Sequence, residues 1–132
     1  MLNNIILYAT LLIAGLINSG DEPHQWTRFR GADGSGIDSN WKTPVQLDSL
    51  NLKWEMTIPG KGNSSPVVWG HKIFVTSSDD EKGMGYAMAL DDRDGTTLWQ
   101  KEFNVSELSL HVNNKLAAST PTVDESKVYL IW

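Results

Sequence analysis

Apolar and β-branched residues occur along this chain in short runs, and no helical period continues over a useful length. Each run stops at Gly, Pro, Ser or Asp residues, which favour turns. The pattern predicts strands at residues 52–58, 66–69, 72–77, 85–91, 98–103 and 127–132. It therefore indicates an all-β fold, in which the middle four strands form an antiparallel meander over residues 64–103.

The strand pattern also repeats. Residues 64–68 (SSPVV) match residues 119–123 (STPTV), and the next apolar run follows the Pro at the same distance in both copies. Trp54 and Trp99 form a second repeated position, each at the head of a mixed, charged strand. Repeats of this size bury their apolar faces against one another. The alternative is an ordinary β-sandwich in which Ser-x-Pro turns recur by coincidence.

Residues 89–99 (ALDDRDGTTLW), here called the docking hairpin, read as a strand, a tight turn and a second strand. The turn brings Trp99 to a fixed distance from Ala89. Such a hairpin is too small to bury its own apolar faces, and it therefore implies neighbouring units of the same kind.

The first residues are typical of a targeting segment. Residues 5–17 form an uncharged apolar run, shorter than the roughly 20 residues that a membrane-spanning helix needs. We expect a signal peptide at 1–20, and the alternatives are an uncleaved anchor or a buried strand. Export to the periplasm or secretion follows, without a stable membrane span. Residues 21–51 are rich in Gly, Asp, Ser and Asn, and predict an irregular arm.

The amino-acid composition limits the classes of molecule that this chain is expected to bind. The net charge is −5 and the 11 basic residues are scattered, which argues against nucleic acid, because phosphate binding needs clustered Lys and Arg. No Cys is present to form a disulfide. Six Trp residues are unusual in 132 residues, and Trp132 ends the chain within an apolar run. We expect the sequence to be an N-terminal fragment of a longer protein.

The docking hairpin has the pattern Ala89-x-Asp91-x-x-x-Gly95-x-x-x-Trp99. It resembles the tryptophan-docking repeat of the pyrroloquinoline-quinone (PQQ)-type β-propellers. Residues 26–36 and 58–70 are similar to the opening of secreted bacterial PQQ-binding-like β-propeller repeat proteins. In that family the Trp packs against the neighbouring blade, the Ala leaves room for it, and the Asp and Gly make the turn.

The resemblance implies a β-propeller of four-stranded antiparallel blades, and residues 52–132 would supply part of one. Residues 52–58 would be a closing strand, residues 64–103 a full blade, and residues 119–132 the first two strands of the next blade. Asp94 departs from the family pattern, which usually has Thr before the Gly, but Asp also suits the turn.

Few residues suggest a catalytic, metal-binding or ligand-binding role. The acidic run at residues 91–94 fails the EF-hand register, because Leu90 occupies the first ligand position. The three His residues are too far apart in sequence to predict a metal site. The best candidates for a polar functional cluster are His111, Asn114 and Arg30. His111 and Asn114 resemble a His-x-x-Asn stretch of the family, and their alternative role is a surface loop. Arg30 lies on the arm, where it would pair with blade carboxylates or a ligand.

These observations favour an exported, non-catalytic β-propeller that serves as a binding or assembly scaffold for a protein or carbohydrate partner, with no cofactor. One alternative is a PQQ-dependent alcohol or sugar dehydrogenase that uses PQQ and calcium, with an active site formed by a C-terminal part outside this sequence. Another is a sensor domain of a larger protein. A fold of this kind does not by itself decide between them.

Overall fold

The computed structural model describes residues 25–39, 44–46, 48–106 and 116–132. Within them the protein is all-β and has no helix. A five-stranded antiparallel sheet has the order β1-β2-β3-β4-β5, and β6 and β7 form a second, two-stranded sheet. The strands are β1 Gln25–Trp26, β2 Val67–Trp69, β3 Lys72–Asp79, β4 Met84–Asp91, β5 Thr97–Asn104, β6 Thr122–Val123 and β7 Val128–Tyr129. The predicted signal peptide, His111 and Asn114 lie outside the described residues.

The antiparallel meander predicted from the strand pattern is present as β2 to β5. Its central pair, β3 and β4, is joined over eight residues from Lys72↔Asp91 to Asp79↔Met84. Each of these strands begins or ends within two residues of its predicted bound. Alternating apolar positions and the turns between them were therefore sufficient to predict this part of the fold.

The prediction of a strand over residues 52–58 is wrong, because these residues join no sheet. Trp54 contacts the turn that connects β4 to β5, whereas Lys61 forms an isolated bridge with Ser78 at the far end of β3. The segment thus runs from one end of the sheet to the other. Apart from that single bridge, residues 52–61 form no β-ladder with the described strands.

The predicted strand over residues 127–132 is shortened to Val128–Tyr129. Its only ladder partner among the described residues is β6, which has two residues. Beyond the ladder, Trp132 covers Gly85 and lies 6.0 Å from Phe103 between ring centroids. The end of the run is held by aromatic packing on β4 and β5.

Within the arm, β1 is a regular element that the sequence pattern did not predict. Gln25 pairs with Trp69 and Trp26 pairs with Val68, which adds a strand to the edge of the meander. The Trp26 ring covers Gly31, where a Cβ would lie 2.9 Å from the ring. One aromatic residue therefore attaches the arm to its own following loop.

The core lies between the two sheets. Val67, Phe74 and Ala89 share one face of the large sheet, and they cluster with Val123 of β6. Trp69, Trp99 and Val128 pack around this cluster. We call this side of the large sheet the front face, and it carries the second sheet.

The sequence repeat is also a structural repeat. Val67↔Phe74 and Val68↔Ile73 pair in the first copy, and Thr122↔Tyr129 and Val123↔Val128 pair in the second. Adding the separation between Ser65 and Thr120, which is 55, to each residue of the first copy gives its partner in the second. Both copies thus form the same hairpin in the same register.

Candidate functional site

The turn of the docking hairpin is closed by backbone hydrogen bonds. The Gly95 amide donates to the Asp91 carbonyl at 2.9 Å, and the Asp91 amide donates to the Thr96 carbonyl at 2.8 Å. Gly95 has a φ of +76°, in the left-handed region that glycine adopts without a Cβ penalty. The Asp-x-x-x-Gly spacing is therefore a requirement of the turn.

The Asp91 carboxylate forms its hydrogen bonds within this turn. It accepts hydrogen bonds from the backbone amide of Arg93 at 3.0 Å and from its Nε at 2.8 Å, and it also pairs with Nη2. The Arg93 guanidinium is the largest cause that holds the pKa of Asp91 well below its usual range, and Asp91 raises the pKa of Arg93 in return. Asp91 itself is buried.

Two further carboxylates support the same hairpin. The Asp94 carboxylate accepts a hydrogen bond from the Thr96 amide at 2.9 Å, which is the main reason that its pKa is lowered. The Asp92 carboxylate lies 3.3 Å from Nδ1 of His71, an exposed residue of the β2–β3 turn. All three carboxylates of the hairpin thus have local partners.

Ala89 and Trp99 lie opposite each other, as the motif requires. The register shifts by one residue between Ala89↔Trp99 and Leu90↔Thr97, so Leu98 is the extra residue of a β-bulge and its side chain is exposed. Ala89 is fully buried, and the Trp99 ring lies 6.0 Å from that of Phe74. Trp99, which the resemblance implies packs against a neighbouring blade, is half-buried.

Trp54 docks on the turn of the hairpin. Its indole Nε1 donates a hydrogen bond to the Asp92 carbonyl at 2.9 Å, across 38 residues of sequence. Its ring covers Gly95 so closely that a Cβ there would lie 2.7 Å from a ring carbon. Gly95 is therefore needed twice, once for its backbone angle and once for the space that the indole occupies.

The loop before β2 joins the two sheets. The Asn63 and Ser64 amides donate to the Ala117 carbonyl at 3.0 and 3.1 Å. The Ser65 amide donates to the Thr120 hydroxyl at 3.2 Å, and these two residues are equivalent in the repeat. The glycine-rich stretch at residues 60–65 thus acts as a connection between the two copies.

Arg30 is part of a compact loop of the arm. It has a φ of 61°, and its guanidinium donates to the Ser35 carbonyl at 3.2 Å. The neighbouring Arg28 donates from Nε to the Gly31 carbonyl at 3.3 Å. Both arginines bond to backbone carbonyls of the arm, whereas the sequence suggested that Arg30 would pair with carboxylates of the meander or with a ligand.

A groove of about 630 Å³ lies between the front face and the second sheet. Trp99, Lys101 and Phe103 of β5 lie along one wall, and Lys127 and Val128 lie along the other. The exposed side of Trp99 faces this groove. The groove therefore adjoins the docking hairpin at Trp99.

Of the sequence-predicted site residues, the structure brings Ala89, Asp91, Gly95 and Trp99 together in one hairpin, and it places Arg30 in the arm. His111 and Asn114 lie outside the described residues. Among the residues that the structure describes, no group of three or more His, Cys, Asp and Glu could hold a metal ion.

Two contacts of the site were not predicted. Arg93 is the partner of Asp91, and the only sequence signal for this was their separation by two residues within a turn. Trp54 and Trp99 occupy equivalent positions in the sequence repeat. This equivalence was the signal that could have predicted the packing of Trp54 on a neighbouring hairpin. The acceptor, the Asp92 carbonyl, is a backbone group that no side-chain pattern reveals.

No family model, curated protein or solved structure matches this chain. In the described residues, no helix is long and apolar enough to cross a membrane.

Proposed function

We propose that this chain is part of an exported, non-catalytic β-propeller that acts as a binding or assembly scaffold. The observation that carries the proposal is the docking of Trp54 on the Asp92 carbonyl and on Gly95. A tryptophan from one segment closes the hairpin of the next, which is how the PQQ-type propeller repeat that this chain resembles joins its blades.

The repeat supports the same reading. The second hairpin copies the first in register, and the equivalent residues Ser65 and Thr120 bond to each other where the copies meet. Stacked units that contact only their neighbours are typical of repeat architectures. The meander β2–β5 would then be one four-stranded blade, and β6–β7 the start of the next.

The hairpin's polar groups favour a scaffold over an enzyme. The carboxylates of Asp91, Asp92 and Asp94 are held by Arg93, His71 and Thr96. Acid–base catalysis needs a group within reach of a substrate and with a pKa near the working pH. The pKa values of Asp91 and Asp94 are lowered, so both stay ionised at neutral pH.

A double-mutant cycle tests the docking. We expect Trp54→Ala to lower the free energy of unfolding by roughly 2 kcal/mol, because the half-buried indole loses its packing and its hydrogen bond. Gly95→Ala should lower it by at least about 1 kcal/mol through backbone strain and contact with the indole. Since one contact is shared, the double variant should lose less than the sum. Strict additivity in urea unfolding would contradict the docking, and Leu52→Ala, at an exposed position, serves as the control.

A second experiment tests the absence of catalysis. The full chain is mixed with PQQ and calcium, and dye-linked oxidation of alcohols and sugars is measured. We expect no activity above that of PQQ and calcium in buffer. Saturable activity that disappears when calcium is chelated would replace the scaffold proposal with the dehydrogenase.

A further inference from the structure

The arm contacts both copies of the repeat at equivalent positions. Trp26 pairs with Val68 of β2. The next residue, Thr27, accepts a hydrogen bond from the Val123 amide of β6 at 2.9 Å. Val123 is the counterpart of Val68, since the two copies are 55 residues apart. Two successive residues of the arm thus bind the same position of the repeat, one in the first unit and one in the second.

The loop that follows these two residues gives the arm a compact base. The Trp26 ring packs on Gly31, and the Gly31 amide donates a hydrogen bond to the Arg28 carbonyl at 3.0 Å. The Arg28 guanidinium donates in return to the Gly31 carbonyl at 3.3 Å, and it also donates to the Ala32 carbonyl. Trp26 is therefore fixed twice, by its backbone to β2 and by its ring to the loop.

The arm lies on the inner side of the proposed blades. The blades of a propeller surround a central channel, so neighbouring blades diverge outward and are closest at their inner strands. The main contact between the two sheets is that of β2 with β6, which indicates that these are the inner strands. β1 lies on the edge of β2 opposite β3, and hence nearer the axis. In a closed ring this edge faces the channel, where no further strand of the same blade is expected.

We propose that the arm is a strap across the inner edges of the two repeat units, and that it fixes the angle between them. Its contacts are made by the backbone at the edge of β2 and at β6, where free donors and acceptors would otherwise pair with other strands. The strap belongs to the chain itself, so it covers this edge before any partner binds. The inference rests on the proposed scaffold function, and it adds that a ligand in the channel would meet the arm before the edge of β2.

Amide exchange in the full chain tests the strap. Trp26→Ala removes the ring that packs on Gly31 and should free the arm. We expect the Val123 amide to exchange roughly tenfold faster and the Ser65 amide about threefold faster, because both are protected where the units meet. Amides in the centre of β3 and β4 should change by less than about twofold. Phe29→Ala removes an aromatic ring from an exposed position of the same arm, and it should leave all of these rates nearly unchanged.

The angle between the units is measured separately with spin labels. The chain has no Cys, so labels on Glu81→Cys and Glu125→Cys attach only at these exposed positions, one in each unit. We expect one narrow distribution of label distances, which becomes roughly twice as wide when Trp26→Ala is added, because the units then move more independently. Gly31→Ala should also widen it, since its Cβ would lie 2.9 Å from the indole and its φ is +79°.

Two results would overturn the strap. One is unchanged exchange of the Val123 amide, or an unchanged distance distribution, in both Trp26→Ala and Gly31→Ala. The other is exchange that rises equally in Val123, β3 and β4, since Trp26 would then support the whole fold and not the connection between the units. The double-mutant cycle of Trp54 and Gly95 does not involve the arm, so failure of the scaffold proposal and failure of the strap are distinguishable.

Discussion

At the scale of single residues, Asp91 shows how an acidic residue of a motif can have a structural role and not a chemical one. Its carboxylate, backbone amide and carbonyl are all used within one turn, by Arg93, Thr96 and Gly95. A residue with this many local bonds has no free oxygen to offer a substrate in the geometry observed. The hairpin causes the low pKa of Asp91, and we therefore expect Asp91 to contribute to the free energy of unfolding.

The pH dependence of unfolding tests this role of Asp91. Its pKa is lower in the folded state than its unfolded value of about 3.9. The stabilisation is therefore fully present above the unfolded pKa, and it is lost as the pH falls through the folded pKa. We expect Asp91→Asn and Arg93→Gln each to flatten the decline of the urea midpoint below about pH 4. Curves parallel to that of the wild type between pH 3 and 7 would contradict this assignment.

Gly85 provides a second residue-scale prediction. A Cβ at this position would lie 2.7 Å from the Trp132 ring, and Gly85 has no unusual backbone angle. Gly85→Ala should therefore destabilise the protein by about 1 kcal/mol through displacement of the indole. In a Trp132→Ala background the same change should be neutral or stabilising, since Ala is favoured over Gly in a strand by roughly 0.5–1 kcal/mol. Equal effects in both backgrounds, measured by urea unfolding, would show that Trp132 does not occupy this position.

At the scale of elements, the sequence predicted what depends on local alternation. The strands β2 to β5 follow apolar runs that end at Gly70, at the acidic turn after β3 and at Gly95. Residues 52–58 alternate in a similar way and yet form no strand, because pairing depends on a neighbour that their own sequence does not reveal. For the same reason β1 was not predicted: its two residues are ordered by β2.

The candidate site divides in the same way. Ala89, Asp91, Gly95 and Trp99 were predictable because their spacing specifies a hairpin. The docking of Trp54 and the groove lined by Lys101 and Lys127 depend on how separate elements pack, which periodicity does not determine. The repeat is the sequence feature that says most about tertiary packing, since two copies with the same register are expected to pack against similar neighbours.

The contact between the two copies gives an element-scale prediction. Thr120→Val removes the hydroxyl that accepts the hydrogen bond of the Ser65 amide. We expect this amide to exchange with solvent about threefold to tenfold faster, which corresponds to a net hydrogen bond of about 0.5–1.5 kcal/mol. Thr120→Ser keeps the acceptor and should exchange at nearly the wild-type rate. Similar exchange in all three proteins would mean that the copies are not joined at this point.

At the scale of the whole molecule, burial is concentrated in the middle of the large sheet. Five successive residues of β4 are buried from Ala87 to Asp91, whereas seven of the eight residues of β5 are exposed. One edge of β3 pairs with β4 along its full length. The other edge pairs with β2 only at Lys72, Ile73 and Phe74, and it has one further bridge at Ser78. The described structure thus has one well-covered strand pair, with more open strands around it.

This distribution predicts that the chain does not unfold as one cooperative unit. Local stability follows buried apolar contacts and protected hydrogen bonds, so β3 and β4 should have the slowest amide exchange and β5 should exchange much faster on its free edge. Heating should give a broad change in far-ultraviolet circular dichroism, because the open edge of β5 and the unpaired segment at residues 52–58 separate before the central pair does. Dilution should sharpen the change if association through these edges contributes to its breadth. Uniform protection across β3, β4 and β5, together with a single sharp transition near the ordinary range of about 45–65 °C for mesophilic domains, would show that the described strands already form a complete cooperative fold.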